Sequence, residues 1–225
     1  LNLRLFSRSK TASCLPSGNQ AGMSIVIVRH GETEGNASRV LQVAETPLNA
    51  RGMRQAERLA ERLHDFGITH ILCSDLPRAL MTAAPIAARL DLTVETTPLL
   101  QERNFGDLRG TPYAQVQGDP FGPDFHPANG ESWAMFHERV AEAFAFVAAA
   151  RAKLTEGHLL VVTHGLVCHA ILSRHVAWTD RSPPPDRFHN TSVTVLDPTA
   201  PFAARLANCY EHLGPDDMEA TGGAA

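Results

Sequence analysis

The chain has 225 residues, 44% of them hydrophobic, with 24 acidic against 20 basic side chains and a formal net charge of −4. That is enough apolar material for one domain with a full core, and the charge offers no basic footprint for nucleic acid. No apolar run approaches the roughly 20 residues that span a bilayer as a helix, so neither nucleic acid nor a membrane is an expected partner.

In chain order, residues 1–22 carry Arg4, Arg8 and Lys10 but no acid. This pattern fits a leader or non-native sequence ahead of a natural start at Met23, and the segment is set aside. The domain is expected over 23–213, followed by a small, polar, acidic tail, 214–225, expected to be disordered. Ser24–Val28 (SIVIV) predicts a short buried strand. Asn49 is a plausible N-cap for a helix reaching about Phe66, with Ala56, Leu59, Ala60 and Leu63 as its inner stripe and Gly67 as its stop. His70–Cys73 predicts a second strand, and Ser74-Asp75 caps a helix to about Leu90 in which Pro85 should introduce a kink. Leu92–Glu95 is a weak third strand. No element is clear between Gly110 and Gly130, a Gly- and Pro-rich stretch of the kind that forms lids or pocket walls.

Further on, Glu131–Leu154 predicts the longest helix, Leu159–Thr163 (LLVVT) a buried strand, and Gly165–His175 a helix. Val193–Leu196 and Ala203–Leu206 are the last strands. Continuous apolar strands separated by helices imply an α/β fold, with one largely parallel sheet covered on both faces. The four cysteines form no CxxC pair. Cys73 and Cys168 sit in apolar stretches, which suits free thiols in a reducing, cytoplasmic compartment better than a disulfide.

Ligand sites of open α/β sheets form beyond the carboxyl ends of the strands. The first strand ends in Arg29-His30-Gly31. The second ends in Ser74-Asp75, with Arg78 one helical turn on, and the LLVVT strand ends in Thr163-His164-Gly165. Two histidines and two arginines are therefore expected on one sheet edge. Glycine after each histidine permits a tight turn and close approach of backbone N–H groups, Gly165 included, to a ligand. Such a cluster repels itself unless an anion lies between its members, and arginine forks match the oxygens of a phosphate dianion. One histidine is then placed to attack phosphorus, and the leaving oxygen needs a proton from a nearby carboxylic acid. Glu102, in LLQERNFGDLRG, is the candidate, with Glu32, Asp107 and Glu131 as alternatives.

RHGETEGN, TPLNARGMRQAERLA, SDLPRALMTAA, LLQERNFGDLRG, GESWAMFHERV, VVTHGLVCHAIL and HNTSVTVLD follow one another in an order that resembles the histidine phosphatase superfamily, the phosphoglycerate mutase-like proteins, over most of residues 24–197. The resemblance implies a single three-layer α/β/α domain. It implies that His30 is the phosphorylated nucleophile, that Arg29, Arg78 and His164 bind the transferring phosphoryl group, and that Asn36 reaches in from the first loop. Glu102 matches the proton donor. In the acid phosphatase branch an acidic residue follows the second histidine; Gly165 stands there in this chain, which favours Glu102. Thr33 and Arg103 join Asn36 and Gly165 as candidate substrate-binding residues, with local loop hydrogen bonds as the alternative role for Thr33 and Asn36.

The expected activity is hydrolysis of a small phosphate monoester without a cofactor or metal, by a monomer or homodimer. His164 and His169 are five apart, which does not set two ligands on one helical face. The alternative is mutase-type phosphoryl transfer, which calls for extra cations and a closing lid. Residues 111–130 contain no Lys or Arg but carry Asp119 and Asp124, which favours water as acceptor, whereas Arg103 and Arg109 beside the acid argue the other way. A non-catalytic phospho-ligand module is the third reading, disfavoured because every matching position is kept.

Overall fold

The computed structural model describes residues 22–178 and 184–218. The sequence also suggests Arg181, with Arg187, Phe188 and His189, for one side of the substrate pocket, and Arg181 lies outside the described residues. The strands are β1 (Ile25–Arg29), β2 (Ile68–Ser74), β3 (Val94–Thr97), β4 (His158–Thr163), β5 (Val193–Leu196) and β6 (Ala204–Cys209). They form one sheet in the order β3-β2-β4-β1-β5-β6. β1, β2, β3 and β4 run parallel to their neighbours among themselves, and β5 is antiparallel to both β1 and β6.

The helices are α1 (Glu34–Ala37), α2 (Ala50–Leu63), α3 (Pro77–Leu90), α4 (Trp133–Lys153) and α5 (Gly165–Arg174). Strand side chains alternate between the two faces of the sheet. Ile25, Ile27, Leu159 and Val161 pack with Phe136, Val140, Val167 and Ile171 of α4 and α5. Val26, Val28, Leu160 and Val162 pack with Leu59, Leu63, Ala83 and Ile86 of α2 and α3. Burial on both faces is why the strands read as unbroken apolar runs. The three-layer α/β/α expectation holds.

Several boundaries differ, for physical reasons. β1 runs one residue further, to Arg29, because Arg29 pairs with Thr163 in the parallel ladder. Asn49 caps α2 as expected, its side chain accepting the Gly52 N–H, but Ser74-Asp75 does not cap α3. That helix starts on Pro77 after Leu76, without a side-chain cap, and continues through Pro85 as one element. Ser132 caps α4 by accepting the Met135 N–H, so the helix starts at Trp133.

The segment without a sequence signal is folded against its neighbours. Leu41 N–H donates to Thr111 O at 3.0 Å and Tyr113 N–H to Arg39 O at 2.9 Å. Within the span expected to be a disordered tail, the described residues include a short turn, Pro215–Asp217, seated on α2. Cys73 and Cys168 are free and buried. Cys209 is disulfide-bonded, whereas the sequence favoured free thiols over a disulfide. Among the described residues, no helix is long and apolar enough to cross a membrane.

Candidate active site

The parallel register of β1 on β4 sets Arg29 beside Thr163, so the next residues, His30 and His164, leave the sheet together. Their ring centroids are 5.1 Å apart with the planes inclined at 58°. Both imidazoles are buried. His30 Nδ1 lies 2.7 Å from the Gly31 carbonyl. A carbonyl only accepts, so Nδ1 carries the proton and Nε2 carries the lone pair. Burial, and then the charges of Arg78 and Arg29, hold the His30 pKa well below that of free imidazole, so at neutral pH the ring is uncharged. Burial and the same arginines act likewise on His164. Its Nε2 meets Ser74 Oγ at 2.8 Å, and its buried Nδ1 has no partner among the described residues.

Arg29 and Arg78 line the cleft with His30. The Arg29 guanidinium donates to the Phe188 carbonyl. Arg78, from the first turn of α3, donates to Val43 O at 3.3 Å and Ala44 O at 3.4 Å. Burial lowers its pKa to about 10, against the pull of Glu102, so it remains charged at neutral pH. Phe105, Tyr113 and Phe121 wall the apolar side of the cleft, with Phe121 meeting the other two rings edge-on.

Glu102 also lines this cleft. Its Oε1 accepts Arg103 N–H at 2.9 Å and its Oε2 accepts Leu166 N–H at 3.2 Å. Burial outweighs these bonds and the nearby Arg78 and Arg29, raising its pKa above that of an ordinary glutamate. The three alternative acids are engaged elsewhere. Glu32 accepts from Asn49 and Arg51, Glu131 pairs with Arg139 through both oxygens, and exposed Asp107 takes the Asn129 amide.

The remaining sequence candidates divide. Asn36 lines the cleft; its Oδ1 accepts the Thr33 N–H at 3.1 Å, which leaves the amide nitrogen to donate. Thr33 is fully buried. Its hydroxyl lies 3.0 Å from both Asn36 Oδ1 and Gln42 Oε1, so it organises the loop rather than meeting a ligand. Gly165 opens α5 behind the cleft, and Leu166 is the residue that reaches it. Arg103 lines the cleft too, while its guanidinium donates to the carbonyls of Pro120, Phe125 and Glu131 and stacks 3.9 Å over Trp133. It clips the 111–130 segment in place.

Gly31 serves close packing, not ligand approach. Its N–H donates to Thr82 Oγ1 at 2.9 Å, and a Cβ there would lie 2.7 Å from Gly52 O. A Cβ on Gly52 would lie 2.0 Å from Glu32 O. Gly52→Ala is therefore expected to destabilise by roughly 2–3 kcal/mol, at the upper end of overpacking penalties, and to slow turnover by displacing the loop after His30. Chemical denaturation beside steady-state kinetics reads both effects.

Sequence reasoning missed Ser74 as the partner of His164, and Arg139, which bridges Leu99 O, Gln101 O and Glu102 O to fix the segment bearing the acid. It also missed Asn190, whose amide holds His30 O at 2.8 Å. Only the HNTSV block, following the last phosphate-side elements, carried a signal for Asn190.

Two guanidiniums around a neutral imidazole, with a carboxyl group of raised pKa across the cleft, make up a site built for phosphoryl transfer through histidine. The chain belongs to the histidine phosphatase superfamily (branch 1), whose family model matches residues 25–204. It is similar to the "Probable phosphoglycerate mutase GpmB" of Proteus mirabilis (strain HI4320), 32% identical over 185 residues that cover 78% of this chain and 85% of that one. Among solved structures, the alpha-ribazole phosphatase from Shigella flexneri superposes with a TM-score of 0.71 at 26% identity, covering 84% of this chain and 97% of that one. The native mycobacterial glucosyl-3-phosphoglycerate phosphatase does so with a TM-score of 0.68 at 25% identity, covering 83% and 98%.

Proposed function

We propose that this protein is a phosphomonoesterase that works through phospho-His30 on a small phosphorylated metabolite. The observation that carries the reading is the Nδ1 bond of His30 to Gly31 O, which leaves a lone pair on Nε2 of a neutral ring between Arg29 and Arg78. Nε2 attacks phosphorus as the ester P–O bond breaks, and protonated Glu102 gives its proton to the departing oxygen. The Glu102 carboxylate then takes a proton from water, the water oxygen bonds to phosphorus, and the P–N bond opens to return His30. Arg29 and Arg78 balance the charge on the phosphoryl oxygens throughout. Among the described residues, no group of three His, Cys, Asp or Glu side chains is placed to hold a metal, and turnover is expected to survive EDTA. Rapid acid-free quench with a radiolabelled ester should recover an alkali-stable, acid-labile adduct on His30; hydrolysis without that adduct would overturn the reading.

One observation favours the mutase alternative. Arg109 lines the cleft, and its guanidinium has no hydrogen-bond or ion-pair partner among the described residues, so it offers charge for a second anionic group. Supplied with 3-phosphoglycerate and a bisphosphate primer, the enzyme is expected to release inorganic phosphate and form little 2-phosphoglycerate; the reverse partition would establish mutase chemistry. Arg109→Gln is expected to weaken 3-phosphoglycerate turnover by about 10-fold relative to glycerol 3-phosphate, roughly the worth of one charge-assisted hydrogen bond.

A further inference from the structure

The peptide unit between Gly31 and Glu32 has both its polar ends in use. Its carbonyl, Gly31 O, takes the proton of His30 Nδ1 at 2.7 Å. Its N–H, on Glu32, donates to Gln55 Oε1 at 2.8 Å. Gln55 is fully buried in α2, and its Nε2 donates in turn to the backbone carbonyl of Asp217 at 2.8 Å. Four groups thus form one hydrogen-bond chain: Asp217 carbonyl, Gln55 amide, Gly31–Glu32 peptide, His30 imidazole. Each link fixes the direction of the next. The Asp217 carbonyl can only accept and the Glu32 N–H can only donate, so the Gln55 amide has one permitted orientation. Amides aligned head to tail also polarise one another, which strengthens the acceptor that Gly31 presents to His30.

The far end of the chain is clamped. The buried Asp217 carboxylate is held by Arg54, Nε to Oδ1 at 3.1 Å, and by Arg58. These contacts cross more than 150 residues of sequence to seat the C-terminal turn on α2.

We infer that Gln55 is a positioning residue that sets the tautomer and orientation of His30 through the Gly31–Glu32 peptide, and that the C-terminal turn, pinned by Asp217, locks Gln55 in that role. The inference rests on His30 acting as the nucleophile proposed above. With the chain intact the Nε2 lone pair is presented to the cleft. With Gln55 removed, the peptide is free to tilt and the ring to populate the Nε2–H tautomer, which cannot attack phosphorus.

Three variants of the full chain test this: Gln55→Met, close in volume but without either polar contact, Asp217→Ala, and the double variant. Gln55→Met is expected to lose at least 10-fold in kcat with KM for p-nitrophenyl phosphate within 3-fold, since Arg29 and Arg78 are untouched. Asp217→Ala should lose about 3- to 5-fold, and the double variant should be no slower than Gln55→Met, because one change acts through the other. Nitrogen-15 NMR of labelled histidine should show the Nδ1–H form of His30 in the parent and a mixture in Gln55→Met. A folded Gln55→Met with parental kcat and tautomer overturns the inference, as do losses that multiply in the double variant. If Gln55→Met does not fold, Asp217→Ala decides alone: parental kcat and tautomer overturn the inference, and a shift in both supports it. The tautomer is read without turnover, so a His30→Ala enzyme that still hydrolyses ester would defeat the nucleophile reading separately.

Discussion

His30→Ala is expected to reduce hydrolysis of every phosphate ester by about 10⁴-fold or more, the scale seen when a covalent nucleophile is deleted. Nothing else in the cleft can replace it. Among the described residues, His164 is the other imidazole beside it, and its Nε2 is committed to Ser74. Glu102 could direct water at phosphorus, but the leaving group needs its proton, and burial favours that protonated form. The loss should appear in kcat, with inorganic phosphate still binding as a competitive ligand because Arg29 and Arg78 remain. Far-UV circular dichroism should match the parent, since His30 lies past the end of β1 and its backbone N–H bond to Thr163 O is kept in the variant. Retention of more than about a hundredth of the parental rate would remove the covalent step from the mechanism.

The parts of this site that could be read from sequence are those that follow from chain direction alone. Unbroken apolar runs such as LLVVT mark central strands, and parallel strands discharge their next residues on one edge, so Arg29, His30 and His164 were expected together. Arg78 followed because a helix's first turn starts where the preceding strand ends. What escaped were contacts made by side chains reaching backbone far away in sequence. Arg103, next to an acid, reads as a substrate cation, and its further carbonyl partners at 120, 125 and 131 carry no sequence signature. The acidic tail has the composition of disorder, yet Asp217 is buried because two arginines one helical turn apart on α2 receive it. Ser74 reads as a helix cap by type, but the chain does not turn into α3 until Pro77, leaving its hydroxyl to His164.

Glu102→Gln should divide substrates by their leaving groups. Alkyl phosphates, whose departing alkoxide requires a proton, are expected to lose about 10² to 10⁴-fold, the usual worth of a general acid. The first step on p-nitrophenyl phosphate, whose phenolate leaves unaided, should proceed as a burst near the parental rate, followed by slow release because the carboxylate that activates water is gone. The pH profile carries the same assignment. The His30 pKa lies well below 6.5, so its reactive neutral form is lost only as pH falls through that lowered value. The Glu102 pKa is raised above 4.5, so its acid form persists further and is lost as pH rises through the raised value. For an alkyl ester the parent should therefore show a bell with its maximum on the acidic side of neutrality. Glutamine does not titrate, so the descending limb at high pH should vanish in the variant while the ascending limb, which belongs to His30, stays where it was. Equal losses on both ester classes, or a descending limb that survives the substitution, would move the proton donor away from Glu102.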